Sequence, residues 1–222
     1  MDGTGELFSP LVRVTPPGVK VRIVSYPVDR VLSYGALVGF VANALAEEPA
    51  VVLVAESFSG PVALRYAGAE PGRVRGVVLC ASFVRPPAPP WLAWGVWPVL
   101  FRIRPPAAVV RRLMVGRDAP ESLVRAVREA VGKVRPAVLA GRLRDVLAVD
   151  CADALRRCPT PVLWLVAGQD QLLRRSDGEG VAAGLPQVTV RTIDGPHLLL
   201  QREPGASWEV IAEFLAGLEK GT

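Results

Sequence analysis

Five short apolar runs divide the chain, each rich in β-branched residues and bounded by glycine, proline or polar residues. They cover residues 19–25, 50–55, 74–80, 161–167 and 187–193. Runs of this length and composition are typical of β-strands. Because they are almost continuously apolar rather than alternating, we expect a mostly parallel sheet covered on both faces.

Segments with helical periodicity separate these runs. They cover residues 33–46, 60–69, 91–155, 175–184 and 206–218. The alternation of strands and helices predicts a doubly wound α/β fold. Ser33 is a predicted helix N-cap, and Ser207 suits the start of the last helix, with Glu209 and Glu213 after it.

The stretch from 85 to 158 interrupts this alternation because it contains no convincing strand. It opens with a proline cluster, continues through an almost wholly apolar part, and ends in amphipathic sequence at residues 120–147 with arginines on the outer face. We therefore predict that residues 1–84 and 159–222 form one core. Residues 85–158 are predicted to form a helical cap over the carboxyl edge of the sheet.

Composition and charge exclude several classes of protein. The chain is 50% apolar and 21% charged, which indicates a globular domain. The net charge of +5 comes mostly from scattered arginines, so we expect no nucleic-acid binding. The chain has three cysteines, Cys80, Cys151 and Cys158, without Cys-x-x-Cys spacing, and a single histidine that could act as a further metal ligand. We therefore expect neither a disulfide framework nor a metal site. Without a signal peptide or a run of ~18 apolar residues, the sequence predicts a cytoplasmic protein with no stable membrane insertion.

One serine combines the features of an activated nucleophile. Ser57 follows the second apolar run and precedes a helical segment, so it lies on a tight strand-to-helix turn. The residues two places before and after it, Ala55 and Ser59, are small, which such a turn requires because larger side chains would collide. The amino-terminal end of the next helix favours an oxyanion, and the amide of Phe58 is a predicted oxyanion donor. Taken alone, a serine in this position is more often a helix N-cap.

A serine nucleophile needs a base, and the chain has a single histidine. His197 lies on the loop after the last predicted strand. Asp170 follows the preceding strand and is the favoured carboxylate to orient the imidazole. Asp177 and Asp194 are the alternative carboxylates, although Asp194 is more simply explained as a turn residue.

These stretches together resemble the α/β-hydrolase family of esterases, lipases and related enzymes. The likeness is carried by residues 55–84, by Gly168-Gln169-Asp170 and by Gly195-Pro196-His197. It covers most of the chain apart from the cap, and the order Ser, Asp, His agrees with the family's pattern.

The resemblance implies a serine hydrolase with a Ser57, Asp170 and His197 triad, a small-molecule ester substrate, and no cofactor. Residues 2–5 also resemble the family's oxyanion loop, which would place the second oxyanion amide on Met1 or Asp2. In that family, a strand precedes this loop in the middle of the sheet, between the runs at 19–25 and 50–55. This chain begins after it. We therefore expect a sequence truncated at its start, or a Met1 that is an internal codon, and a fold that lacks the family's first strands.

Several interpretations stay open at this point. The favoured function is hydrolysis of an ester with a hydrophobic acyl or alcohol group. The alternatives are a non-catalytic protein of the same fold, acting as a binding module or fragment, and an acyltransferase or cofactor-free haloperoxidase using the same triad.

Two features beside the triad also have more than one interpretation. Glu56, next to the nucleophile, is expected to be a solvated carboxylate on the turn. Trp91, Trp94 and Trp97 either bind substrate by lining an acyl pocket or pack the cap onto the core. An exposed patch there would indicate membrane contact instead.

Overall fold

Four parallel strands form the single sheet seen in the described residues of this computed structural model, which describes residues 1–173, 180 and 184–220. In chain order, which is also their order across the sheet, they are β1 (Val51–Glu56), β2 (Val74–Cys80), β3 (Val162–Ala167) and β4 (Val188–Ile193). Glu56 lies opposite Cys80, and Ala167 lies opposite Ile193. The predicted parallel sheet is therefore confirmed for four of its five strands, and their carboxyl ends share one edge.

The fifth predicted strand, at residues 19–25, is wrong. Residues 20–27 have no regular secondary structure and no strand pairing to any described residue, and Val21 and Ile23 are 46% and 44% exposed. A cleft of about 430 Å³ is lined by both this segment and β1. Apolar, β-branched sequence makes an extended segment, but a strand also needs a partner for its backbone groups.

Alternate residues of the strands face two separate hydrophobic layers. Val77 and Trp164 belong to one layer, whereas Val78 and Leu163 belong to the other. The first layer is covered by α2 (Tyr34–Ala44), α3 (Gly60–Ala69) and α7 (Ala152–Arg156), and the second by α1 (Ser9–Val14), α8 (Leu199–Arg202) and α9 (Pro204–Lys220). The central strands β2 and β3 are therefore buried on both faces, as the apolar runs predicted, whereas the edge strands β1 and β4 are partly exposed.

Helix boundaries follow the sequence signals at some ends and not at others. The Ser33 hydroxyl accepts a hydrogen bond from the Ala36 amide and caps α2 as predicted. Ser207 does not cap the last helix, because α9 begins at Pro204 and leaves Ser207 fully buried inside it. The helix predicted at 175–184 falls largely on residues outside those the structure describes.

Residues 85–158, all of them described, contain helices and turns but no strand. They comprise two 3-10 helices (Pro90–Gly95 and Pro98–Phe101), α4 (Ala107–Val110), a π-helical turn (Arg111–Val115), α5 (Glu121–Gly132), α6 (Pro136–Ala148) and α7. One detail of the predicted outer face is wrong: Arg142 of α6 is only 3% exposed. Within residues 1–173, 180 and 184–220, none of the helices combines the length and the apolar character needed to cross a bilayer.

Candidate active site

The turn between β1 and α3 holds Ser57 in a strained backbone conformation. Ser57 has a φ of +53°, in the left-handed region that non-glycine residues rarely adopt. The Ser82 hydroxyl supports the turn by donating a 2.8 Å hydrogen bond to the Ser57 carbonyl. The N-cap role considered for Ser57 is wrong, because α3 is preceded by Ser59 and no side chain caps it. The Ser57 hydroxyl is thus left to interact across the sheet edge.

The structure brings Ser57, His197 and Asp170 together in one hydrogen-bonded line. Ser57 Oγ lies 2.9 Å from His197 Nε2, and His197 Nδ1 lies 2.7 Å from Asp170 Oδ2. The His197 and Asp170 side chains are each 4% exposed. In this arrangement, the Ser57 hydroxyl can donate to Nε2 while Nδ1–H donates to the carboxylate.

Backbone hydrogen bonds fix the two loops that carry Asp170 and His197. The Asp170 Oδ1 atom accepts from the Leu172 and Leu173 amides, at 2.7 and 3.0 Å. The loop of His197 is tied to the 111–115 turn because the Leu198 amide donates to the Met114 carbonyl at 2.8 Å. The carboxylate and the imidazole are therefore held in place by more than their own contact.

Of the two alternative carboxylates, the one that the structure describes is engaged away from the imidazole. Asp194 accepts a 3.0 Å hydrogen bond from the Gln169 side chain, as a turn residue would. Asp177 lies outside the described residues.

Glu56 is buried, so the prediction of a solvated carboxylate is wrong. It is 8% exposed and accepts hydrogen bonds from the Leu200 amide at 3.2 Å and from the Gln201 side chain at 2.9 Å. Burial raises the pKa of Glu56, while Gln201 and the nearby His197 act in the opposite direction. The Glu56 carboxylate thus connects the end of β1, next to Ser57, to the helix that follows the His197 loop. The sequence around Glu56 gives no signal that this side chain is buried.

The predicted oxyanion residues lie close to the nucleophile turn. Phe58 is 2% exposed, and its ring stacks on Tyr34 with 4.9 Å between centroids. The carbonyls of Met1 and Asp2 accept hydrogen bonds from Arg142 Nη1 at 2.6 and 2.7 Å. The amino group of Met1 and the carboxylate of Glu56 are close enough to affect each other's pKa.

Arg142 is a site residue that the sequence interpretation missed. Its guanidinium also donates to the Pro27 carbonyl at 2.9 Å and lies 5.8 Å from the centre of the Phe58 ring. The signal was available, because position 142 shares the helix face of the buried Val138, Leu139 and Val146. An arginine on a buried helix face is unusual, because burying its charge is costly unless its N–H groups are hydrogen-bonded. In Arg142, the acceptors are backbone carbonyls.

Trp91, Trp94 and Trp97 are exposed, at 68%, 87% and 62% respectively. The interpretation in which they pack the cap onto the core is therefore wrong, and their role in substrate binding stays a prediction. The described residues also contain no group of three or more His, Cys, Asp or Glu side chains placed to hold a metal ion. Cys80, Cys151 and Cys158 are buried free thiols.

Comparison with known proteins identifies the class to which this fold and site belong. The chain belongs to the alpha/beta hydrolase family, whose sequence pattern matches residues 4–210. No curated protein matches it in sequence.

Solved structures of several hydrolases have the same fold. A hydrolase from Oleispira antarctica superposes with a TM-score of 0.85 at 13% identity, covering 97% of this chain and 88% of its own. A thermophilic esterase from Thermogutta terrifontis superposes with a TM-score of 0.82 at 22% identity, covering 97% of this chain and 86% of its own. The enol-lactonase from Burkholderia xenovorans superposes with a TM-score of 0.82 at 16% identity, covering 97% of this chain and 88% of its own.

Substitution of Gly60 by alanine tests the packing of the nucleophile turn. A Cβ at Gly60 would lie 1.9 Å from Oγ and 2.9 Å from Cβ of Ser82, which cannot move without losing its bond to Ser57. We expect Gly60→Ala to lower the free energy of unfolding in urea by about 1–3 kcal/mol. Gly68→Ala in the same helix meets open space and is the matched control, with no loss or a gain of up to ~1 kcal/mol expected. Equal effects at both positions would contradict this account.

Substitution of Glu56 by glutamine tests the cost of burying its charge. Because the pKa of Glu56 is raised in the folded protein, folding favours its neutral form. That stabilisation is complete below the ordinary pKa of 4.5 and is lost as the pH rises through the folded value. In urea unfolding, Glu56→Gln should therefore be more stable than the wild type at pH 8, with the difference shrinking toward pH 5.

The control for this measurement is Glu209→Gln, which removes an exposed carboxylate from α9. It should leave the pH dependence of stability as it is in the wild type. A Glu56→Gln protein that is less stable than the wild type at pH 8 would show that the ionised carboxylate stabilises the fold.

Proposed function

We propose that this chain is a serine hydrolase that cleaves carboxylic esters with a hydrophobic acyl or alcohol group. The observation that carries the proposal is the line of two short contacts, 2.9 Å from Ser57 to His197 and 2.7 Å from His197 to Asp170. Membership of the alpha/beta hydrolase family supports it, as does the likeness to an esterase and an enol-lactonase.

In the proposed reaction, His197 Nε2 takes the proton of the Ser57 hydroxyl as Oγ bonds to the ester carbonyl carbon. The carbonyl π electrons move to oxygen. We propose that this oxyanion is stabilised by the amide of Phe58 together with the amino group of Met1 or the amide of Asp2. Asp170 stabilises the positive charge that develops on the imidazole. Nε2–H then protonates the departing alkoxide, which leaves as the alcohol.

The second half of the reaction repeats these steps with water. His197 takes a proton from water as its oxygen attacks the acyl carbon, and the carbon–Oγ bond breaks as the proton returns to Ser57. These reaction steps need no metal or cofactor. We also propose that residues 85–158 form a cap beside the site, since the 111–115 turn contacts the His197 loop and Arg142 contacts the nucleophile turn.

Substitution of Ser57 by alanine is expected to remove esterase activity. Because the hydroxyl is the proposed bond-forming group, kcat/KM for p-nitrophenyl butyrate should fall by at least ~10⁴-fold. A fluorophosphonate should add one covalent group to the wild-type protein at Ser57, located by mass spectrometry. Ser122→Ala, an exposed serine on α5, is the control and should retain both activity and label.

Urea unfolding of each variant separates loss of chemistry from loss of fold. A folded wild-type protein with neither turnover nor a label at Ser57 would rule out the enzyme and leave a non-catalytic protein of this fold. Adding an alcohol acceptor distinguishes transfer from hydrolysis, because an acyltransferase would yield the new ester in preference to the free acid.

A further inference from the structure

Residues 91–103 expose an unusual concentration of large apolar side chains. The exposed members, with their exposed fractions, are Trp91 (68%), Leu92 (39%), Trp94 (87%), Trp97 (62%), Val99 (58%), Leu100 (63%) and Ile103 (81%). We call these seven side chains the tryptophan face. Soluble monomers seldom leave such a patch in water unless it contacts something.

The tryptophan face is built on a fixed support. Between its exposed members, Val96 is 6% exposed and packs with Ala140 and Leu147 of α6. Ala93 and Phe101 join the same apolar cluster, and Arg144 donates a hydrogen bond to the Val96 carbonyl. Because one side of both 3-10 helices is anchored in this way, the other side is held outward.

The charged residues in the stretch of sequence that carries the tryptophan face all have one sign. Between residues 81 and 117, the sequence has six arginines and neither aspartate, glutamate nor lysine. Arg85, Arg102 and Arg104 are exposed, and the last two flank Ile103 in the chain. An apolar surface whose own stretch of sequence carries only cationic charges is complementary to an anionic partner.

We propose that the tryptophan face is a membrane-contact surface that docks the protein reversibly onto anionic lipid. Tryptophan is suited to the level of the lipid headgroups, where its ring meets apolar chains and its N–H meets water, and arginine binds the headgroup phosphates. A second copy of this chain would bring the same arginines face to face, so charge opposes a symmetric dimer on this surface. The proposal does not depend on the hydrolase activity proposed above.

Vesicle co-sedimentation tests the proposal with the full chain. The wild type should sediment with vesicles of phosphatidylcholine and phosphatidylglycerol in equal amounts, more weakly with phosphatidylcholine alone, and less as salt is raised. Combined Trp91→Ser, Trp94→Ser and Trp97→Ser substitutions should reduce the partition coefficient at least tenfold. Combined Arg102→Gln and Arg104→Gln substitutions should reduce binding to the anionic vesicles by roughly fivefold for each arginine.

The matched control replaces exposed apolar residues elsewhere on the surface. Val12→Ser and Val14→Ser on α1 remove side chains that are 36% and 39% exposed, and they should leave vesicle binding unchanged. Urea unfolding checks that each variant is folded. Absence of wild-type binding to either vesicle, or equal binding by the triple tryptophan variant, would overturn the proposal. So would self-association of the wild type that the triple variant loses, because the face would then be an interface between copies.

Discussion

At the carboxyl end of β1, the backbone of Ser57 bends into a left-handed conformation on which the geometry of the site depends. Such a conformation costs of the order of 1–3 kcal/mol and persists only where the surroundings enforce it. Here, Ser82 holds the Ser57 carbonyl, and the absence of a side chain at Gly60 lets Ser82 approach. Ser82, just after β2, and Gly60, at the start of α3, therefore hold the turn in the conformation in which the Ser57 hydroxyl contacts His197.

Two buried charged residues connect this turn to the rest of the molecule. Glu56 links the end of β1 to the helix after His197, and Arg142 links α6 to the carbonyls of Met1, Asp2 and Pro27. Burying a charge is costly unless its hydrogen bonds are made. One acceptor in this region is left over, since Gln201 Oε1 is buried without a partner among the described residues. The buried polar groups beside Ser57 thus connect particular segments of the chain through defined hydrogen bonds.

Much of the sheet, and the meeting of Ser57, Asp170 and His197 in one hydrogen-bonded line, could be predicted from the sequence. Four strands are read from apolar runs, and parallel strands bring their carboxyl ends to one edge, which is enough to group Ser57, Asp170 and His197. The failures share a cause: they concern where a residue's partners lie. Residues 19–25 have strand composition without a paired neighbour, Glu56 has surface character yet meets Gln201, and Arg142 meets carbonyls 115 or more residues away. Local sequence does not report such long-range partners.

The outer edge of β1 has a consequence of its own. Among the described strands, β1 pairs with β2 alone, and its other side faces the cleft shared with the unpaired segment 20–27. Amide groups on such an edge are available to any extended polypeptide that approaches. β1 contains no proline or lysine, and its one register irregularity lies at its start, between Val51 and Val52. In concentrated solution, we therefore expect this edge of the sheet, opposite β4, to be open to intermolecular β-pairing.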